Sequence, residues 1–115
     1  MSHDDAYLAD ILIAARDIRT FTAGVSWQGF SSDRLLQAAV QHWIQTIGEA
    51  ASNVSDTIRD SYPEIAWRSM VGMRHRLVHA YWDIRLSLVW DVVQNDIPTL
   101  IETLESVVPP DTPEA

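Results

Sequence analysis

At 115 residues the chain has the size of one domain, and 47% hydrophobic residues with four glycines make it globular in composition rather than disordered. A formal net charge of −8 excludes broad, non-specific attraction to polyanions, and the absence of cysteine excludes disulfides and thiolate metal sites. No apolar run approaches the roughly 20 residues of a membrane-spanning helix, and the acidic opening MSHDDAY is no secretory signal, so a cytoplasmic protein is expected.

Taken in chain order, the apolar spacing is helical almost throughout. Leu8, Ile11, Leu12, Ala15, Ile18 and Thr22 share one stripe, with Asp4 and Asp5 as candidate caps and Gly24 as the stop. The stretch VSWQGFS, residues 25–31, reads as a loop. Ser32 and Asp33 announce a second helix whose apolar face takes in Leu35, Leu36, Ala39, Val40, Trp43, Ile44, Ile47 and Ala51. Gly48 interrupts that face without a side chain, which predicts close approach by a neighbouring helix.

Ser55 and Asp56 open a short helix that Pro63 terminates. Pro63 also suits the first turn of the next helix, expected to run to about residue 80. Asp83 is a candidate cap for the last helix, with Ile84, Leu88, Val92 and Ile97 inward. Pro98 should bend or restart that helix, and Asn95 or Asp96 could cap its second half. Trp43, Trp67 and Trp90 read as packing residues; Trp27 falls in the loop. The fold predicted is an all-α, up-and-down helical bundle of four to five helices over residues 1–108, its last helix kinked by proline, followed by a flexible tail, 109–115.

One stretch does not fit a purely structural role. All eight bases of the chain are arginine, and Arg68, Arg74, Arg76 and Arg85 fall within residues 68–85 beside a single acid, Asp83. Any anion-binding surface should lie there, around GMRHRLVHAYW (72–82). The bland reading is a polar helix end that complements the helix dipole. The sharper one is a site that handles phosphate. A neutral histidine can take the proton of a ribose 2′-hydroxyl while a protonated one protonates the leaving 5′-oxygen, and arginine's planar fork matches two phosphate oxygens. This chemistry needs no metal or other cofactor, but it needs RNA. Arg74 and His79 are five positions apart, about 140° around a helix. Acting on one substrate therefore requires a curled arginine stem, a helix ending near His79, or a second copy related by a two-fold axis.

Two other readings stay open. His75, His79 and Asp83 recur at four-residue intervals, a spacing that suits metal ligands, although the cap role of Asp83 competes for its oxygens. A binding module or adaptor without catalysis would carry the same residues.

The motif Arg74-HRLV-His79-Ala80-Tyr81 resembles the R-x4-H-x-Y signature of HEPN-domain toxins of the HepT type. AVQHWIQTIGEAA (39–51), PEIAW (63–67), GMRHRLVHAYW and VWDVVQNDIPTL (89–100) resemble further blocks of that family in the same order. The likeness covers roughly residues 5–108. It implies a HEPN-like homodimer whose paired motifs form a composite groove and cleave RNA without metal. Arg74 and His79 match the catalytic pair, and His75 and Arg76 would support it or contact RNA. It also implies a partner, a minimal nucleotidyltransferase antitoxin that transfers AMP from ATP to the motif tyrosine, here Tyr81. Two positions depart from the pattern. His75 stands where relatives often have asparagine. Arg85 stands where they often have an acid, which makes the groove edge more positive and argues against an inherited cap there.

Overall fold

The structure, a computed structural model, describes residues 3–79 and 85–108, with the side chains of residue 73 and residues 75–79 left aside. Helix α1 (Asp4–Thr22) buries the whole predicted stripe from Leu8 to Thr22. Gly24 follows it with φ 76°, a left-handed angle that a side chain would oppose. The cap, however, is not the expected one. His3 precedes α1 without a side-chain cap bond. Asp4 instead accepts hydrogen bonds from Ser55 N (2.8 Å) and Ser55 Oγ (2.7 Å), while Ser55 Oγ accepts from Ile58 N (3.3 Å). Two donors at Ser55 satisfy both carboxylate oxygens, where its own helix start offers chiefly backbone N–H groups. Asp4 thus ties the chain's beginning to the cap of α4 (Asp56–Ser61).

The expected loop at residues 25–31 is largely helical. Helix α2 (Trp27–Ser31) is capped by Ser26, whose side chain accepts from Gly29 N at 3.0 Å. Five residues make no stable helix alone, so α2 depends on tertiary contacts. Phe30, fully buried, supplies them: its ring stacks on Trp90 at 4.8 Å and lies 6.3 Å from Trp27.

Asp33 caps α3 (Arg34–Asn53) as predicted, accepting from Leu36 N at 3.0 Å. Replacing Asp33 with alanine should lower stability by about 1 kcal/mol. Denaturant titration checks this, and asparagine at the same position should restore most of the loss. The buried face of α3 runs through Val40, Ile44, Ile47, Gly48, Ala50 and Ala51. Leu35, placed on that face by the sequence reading, is 81% exposed. It precedes Ile44 by nine residues, about 180° round the helix. The far end of α3 is held by Arg59, whose Nε and Nη2 donate to Val54 O (3.2 Å) and Ala51 O (2.8 Å).

Helix α4 stops before Pro63, because the residue ahead of a proline avoids helical angles; Tyr62 has φ −129° and ψ 65°. Helix α5 (Trp67–His79) starts four residues after Pro63 rather than at it. The intervening turn drops Ile65 into the core. Tyr62 O accepts from Ile65 N (3.1 Å) and from Trp67 Nε1 (3.0 Å), which holds the turn non-helical.

After the undescribed segment 80–84, α6 (Leu86–Asp91) continues through a π turn (Val92–Asp96) into α7 (Ile97–Glu105). Neither Asn95 nor Asp96 caps a restarted helix; Asp96 keeps helical angles and makes no side-chain cap bond. The proline break takes another form. Pro98 has no N–H for the carbonyl four residues back, and the chain widens locally, with Ile97 N donating to Val92 O. Val89, Val93, Ile97, Leu100, Ile101 and Leu104 are buried, whereas Leu88 and Val92, expected inward, are half-buried. Ile84 and Asp83 lie outside the described residues, as does the tail 109–115.

The architecture is an all-α bundle, with no strand among the described residues. Helix α1 packs on α3 and α7, and α3 packs on α1 and α5. Trp67 is buried, while Trp43 is half-buried and stacks on Phe21 at 5.4 Å, so the tryptophans at 43, 67 and 90 do pack. No helix among the described residues is long and apolar enough to cross a membrane.

Candidate active site

Helix α5 carries the arginine-rich motif, and its register decides where the first motif arginine stands. Trp67 and Met70 are buried, and Arg74 follows Met70 by four residues, so the three share one stripe. An arginine therefore occupies a position where that stripe would ordinarily continue with an apolar side chain. Arg74 is half-buried, consistent with a long aliphatic stem laid along apolar surface and a charged head at the edge.

Helix α3 makes room for it. A Cβ built on Gly48 would overlap Arg74 Cβ, lie 2.8 Å from Met70 O and stand 3.1 Å from Arg74 Cδ. The close approach expected at Gly48 is present, and what approaches is Arg74 itself together with the backbone one turn before it.

His75, Arg76 and His79 belong to α5 by their backbone. Their side chains, with Tyr81, lie outside the described residues. Helical geometry separates the Cβ directions of Arg74 and His79 by about 140°. One straight helix does not aim both at one point. Arg85, exposed, directly precedes α6 and makes no side-chain cap bond. The alternative metal set of His75, His79 and Asp83 lies wholly outside the described side chains. Among the described residues no three His, Asp or Glu side chains converge as metal ligands.

The sequence reading did not anticipate a cavity of about 510 Å³ between α3, α5 and the α6–α7 unit. Ile44 and Ile47 form part of its apolar wall, while Glu64, Asp91 and Asp96 oppose Arg68 around it. Among the described residues the charged rim of this cavity is net acidic, which disfavours a phosphate chain there. No local pattern marks it, because its walls come from segments far apart in sequence. The arginine-rich motif lies on α5, around Arg74.

The family model described as ribonuclease HepT-like matches residues 11–107. A protein of Thermococcus cleftensis named "Probable ribonuclease HepT" is 39% identical over 99 residues, covering 86% of this chain and 89% of that one. A Methanocaldococcus jannaschii protein named as a "Putative RNase" is 34% identical over 103 residues, covering 90% and 85% of the two chains. A second from that organism, under the same kind of name, is 33% identical over 102 residues, covering 89% and 94%. No solved structure matches the chain significantly.

Proposed function

The chain belongs to the ribonuclease HepT-like family, and from that premise we propose that it is a metal-independent endoribonuclease acting as the toxin of a toxin–antitoxin pair. The observation that carries this reading is Arg74: an arginine whose stem is set into the core stripe of α5, over a glycine, in the helix that holds the family-type motif.

The chemistry follows from the side chains. A neutral imidazole, assigned to His79, removes the proton of a ribose 2′-hydroxyl. The freed oxygen attacks the adjacent phosphorus, the bond to the 5′-oxygen breaks, and a protonated imidazole returns a proton to that leaving group. The products are a 2′,3′-cyclic phosphate and a free 5′-hydroxyl. Arg74 neutralises charge that builds on the phosphate oxygens as phosphorus becomes five-coordinate. His75 and Arg76 assist as a second polar group and an RNA contact. The 140° offset of Arg74 from His79 is bridged by a homodimer, in which two copies of α5 meet and each supplies what the other lacks. Such a protein works in the cytoplasm.

The test of activity is direct. Purified protein should cleave RNA in the presence of EDTA and leave the 2′-deoxy version of the same strand intact. Intact RNA after prolonged incubation would favour the adaptor reading instead.

Control of this toxin rests on Tyr81 and a minimal nucleotidyltransferase antitoxin. The phenolic oxygen attacks the α-phosphorus of ATP, pyrophosphate leaves, and the phenolic proton passes to a base of the transferase. The bulky anionic AMP group then sits two residues beyond His79, occupies the phosphate site and repels RNA. Intact-mass measurement after incubation with partner and ATP should show the mass of one or more AMP units, and Tyr81→Phe should show none. Added mass in that variant would put the modification elsewhere.

A further inference from the structure

We propose that Gly48 is a positioning residue for the ribonuclease site: by having no side chain, it seats the stem of Arg74 against α3 and so sets where the guanidinium begins. The proposal rests on the reading of Arg74 as the phosphate-contacting arginine.

The steric facts are unusually confining. Of the groups a Cβ at Gly48 would meet, Met70 O at 2.8 Å is backbone, and Arg74 Cβ is rigidly attached to backbone. Neither can rotate away. Only Arg74 Cδ, at 3.1 Å, belongs to a part that can swing. A methyl group here therefore displaces α5 from α3 as a unit, at the very turn that bears Arg74. The space a Cβ would need is taken twice by the same side chain, at Cβ and again at Cδ, so the stem of Arg74 runs over the bare backbone of α3. A stem packed along that surface has fewer rotamers open to it than an exposed one.

The support beneath is itself braced. Gly48 is buried in α3, whose neighbours Ile47 and Ala51 are buried too, and α1 packs against the same helix. Gly72 offers the contrast: a Cβ there meets nothing within 4 Å, although it stands only two residues before Arg74. The need for glycine at position 48 is thus specific to that crossing, and the crossing is specific to Arg74.

The experiment is a double-mutant cycle on RNA cleavage with Gly48→Ala and Arg74→Ala. Gly48→Ala should lower kcat about 10- to 100-fold with little change in KM, the scale expected when a catalytic group is misplaced by about 1 Å. In the Arg74→Ala background, where the clashes at Cβ and Met70 O remain but the positioned guanidinium is gone, the same change should add a clearly smaller loss than it causes in the wild type. Losses that multiply, or a Gly48→Ala enzyme with wild-type kcat, would overturn the proposal. A second measurement does not depend on turnover or on the variant folding. In the wild-type protein, NMR relaxation at Nε–Hε should show Arg74 more rigid than the exposed Arg68 on the same helix. Equal mobility of the two refutes the positioning role, whereas a rigid Arg74 in a protein that never cleaves RNA would preserve its seating over Gly48 and sink the ribonuclease reading.

Discussion

Replacing His79 with alanine is expected to reduce RNA cleavage by about 10²- to 10⁴-fold, the range typical of removing a general acid–base group. Methyl in place of imidazole leaves nothing at that position to accept the 2′-hydroxyl proton, and water is a poor substitute near neutral pH. Arg74→Ala should cost about 10²- to 10³-fold, as when one donor to a developing oxyanion is lost. Arg74→Lys should restore little of this, since an ammonium lacks the planar fork that meets two phosphate oxygens at once. The two histidine variants, His79→Ala and His75→Ala, should also separate: only the first should eliminate turnover if His75 is auxiliary. Initial rates on a labelled oligoribonucleotide, read on a denaturing gel, measure all four. Equal cleavage by wild type and His79→Ala would end the ribonuclease assignment. A mechanism with one imidazole neutral and another protonated further requires a bell-shaped pH profile for kcat. Its acid limb reports deprotonation of the base, and its alkaline limb reports loss of the acid. A profile flat on both sides of neutrality would rule out paired histidine catalysis.

The largest stability effect should come from Phe30→Ala, with an expected loss of about 3–5 kcal/mol. Phe30 is fully buried, stacks on Trp90 and lies beside Trp27, so its removal leaves a cavity walled by indoles that cannot collapse easily. The loss is a large share of the roughly 5–15 kcal/mol that holds a typical domain together. It also has a directional consequence. Trp90 belongs to α6, and Phe30 is what joins α2 to it. Since α6 follows the motif segment, loosening this stack should free the chain downstream of the motif before the α1–α3 pair yields. Urea titration followed by tryptophan fluorescence gives the overall loss, and Phe30→Leu should recover part of it. A change under about 1 kcal/mol would mean that α2 contributes little to the core.

Much of this organisation is written in local patterns. The stripe of α1, the cap at Asp33, the cap at Ser55 and the stop at Gly24 are all legible because each depends on residues within a turn or two. The motif's place on a helix is legible for the same reason, and so is the offset between Arg74 and His79. Departures cluster where a distant residue intervenes. The carboxylate of Asp4 serves Ser55, and residues 25–31 fold because Phe30 meets Trp90. The late start of α5 is a local exception, set by bonds from Ile65 N and Trp67 Nε1 to Tyr62 O. Leu35 departs for a simpler reason: an apolar residue adjacent to a stripe reads as part of it, although the wheel sets it opposite.

The sequence by itself determined the helical class, most helix boundaries, the arginine-rich motif and the fact that something must press closely on Gly48. Each of these follows from a repeat of about 3.6 residues or from a cap geometry, which are properties of neighbouring residues. Only the tertiary structure decided that the pressing group is Arg74. Which two faces meet, and in what register, is a property of pairs far apart in the chain, governed by how their side chains fill shared space, and no periodicity within either helix encodes it.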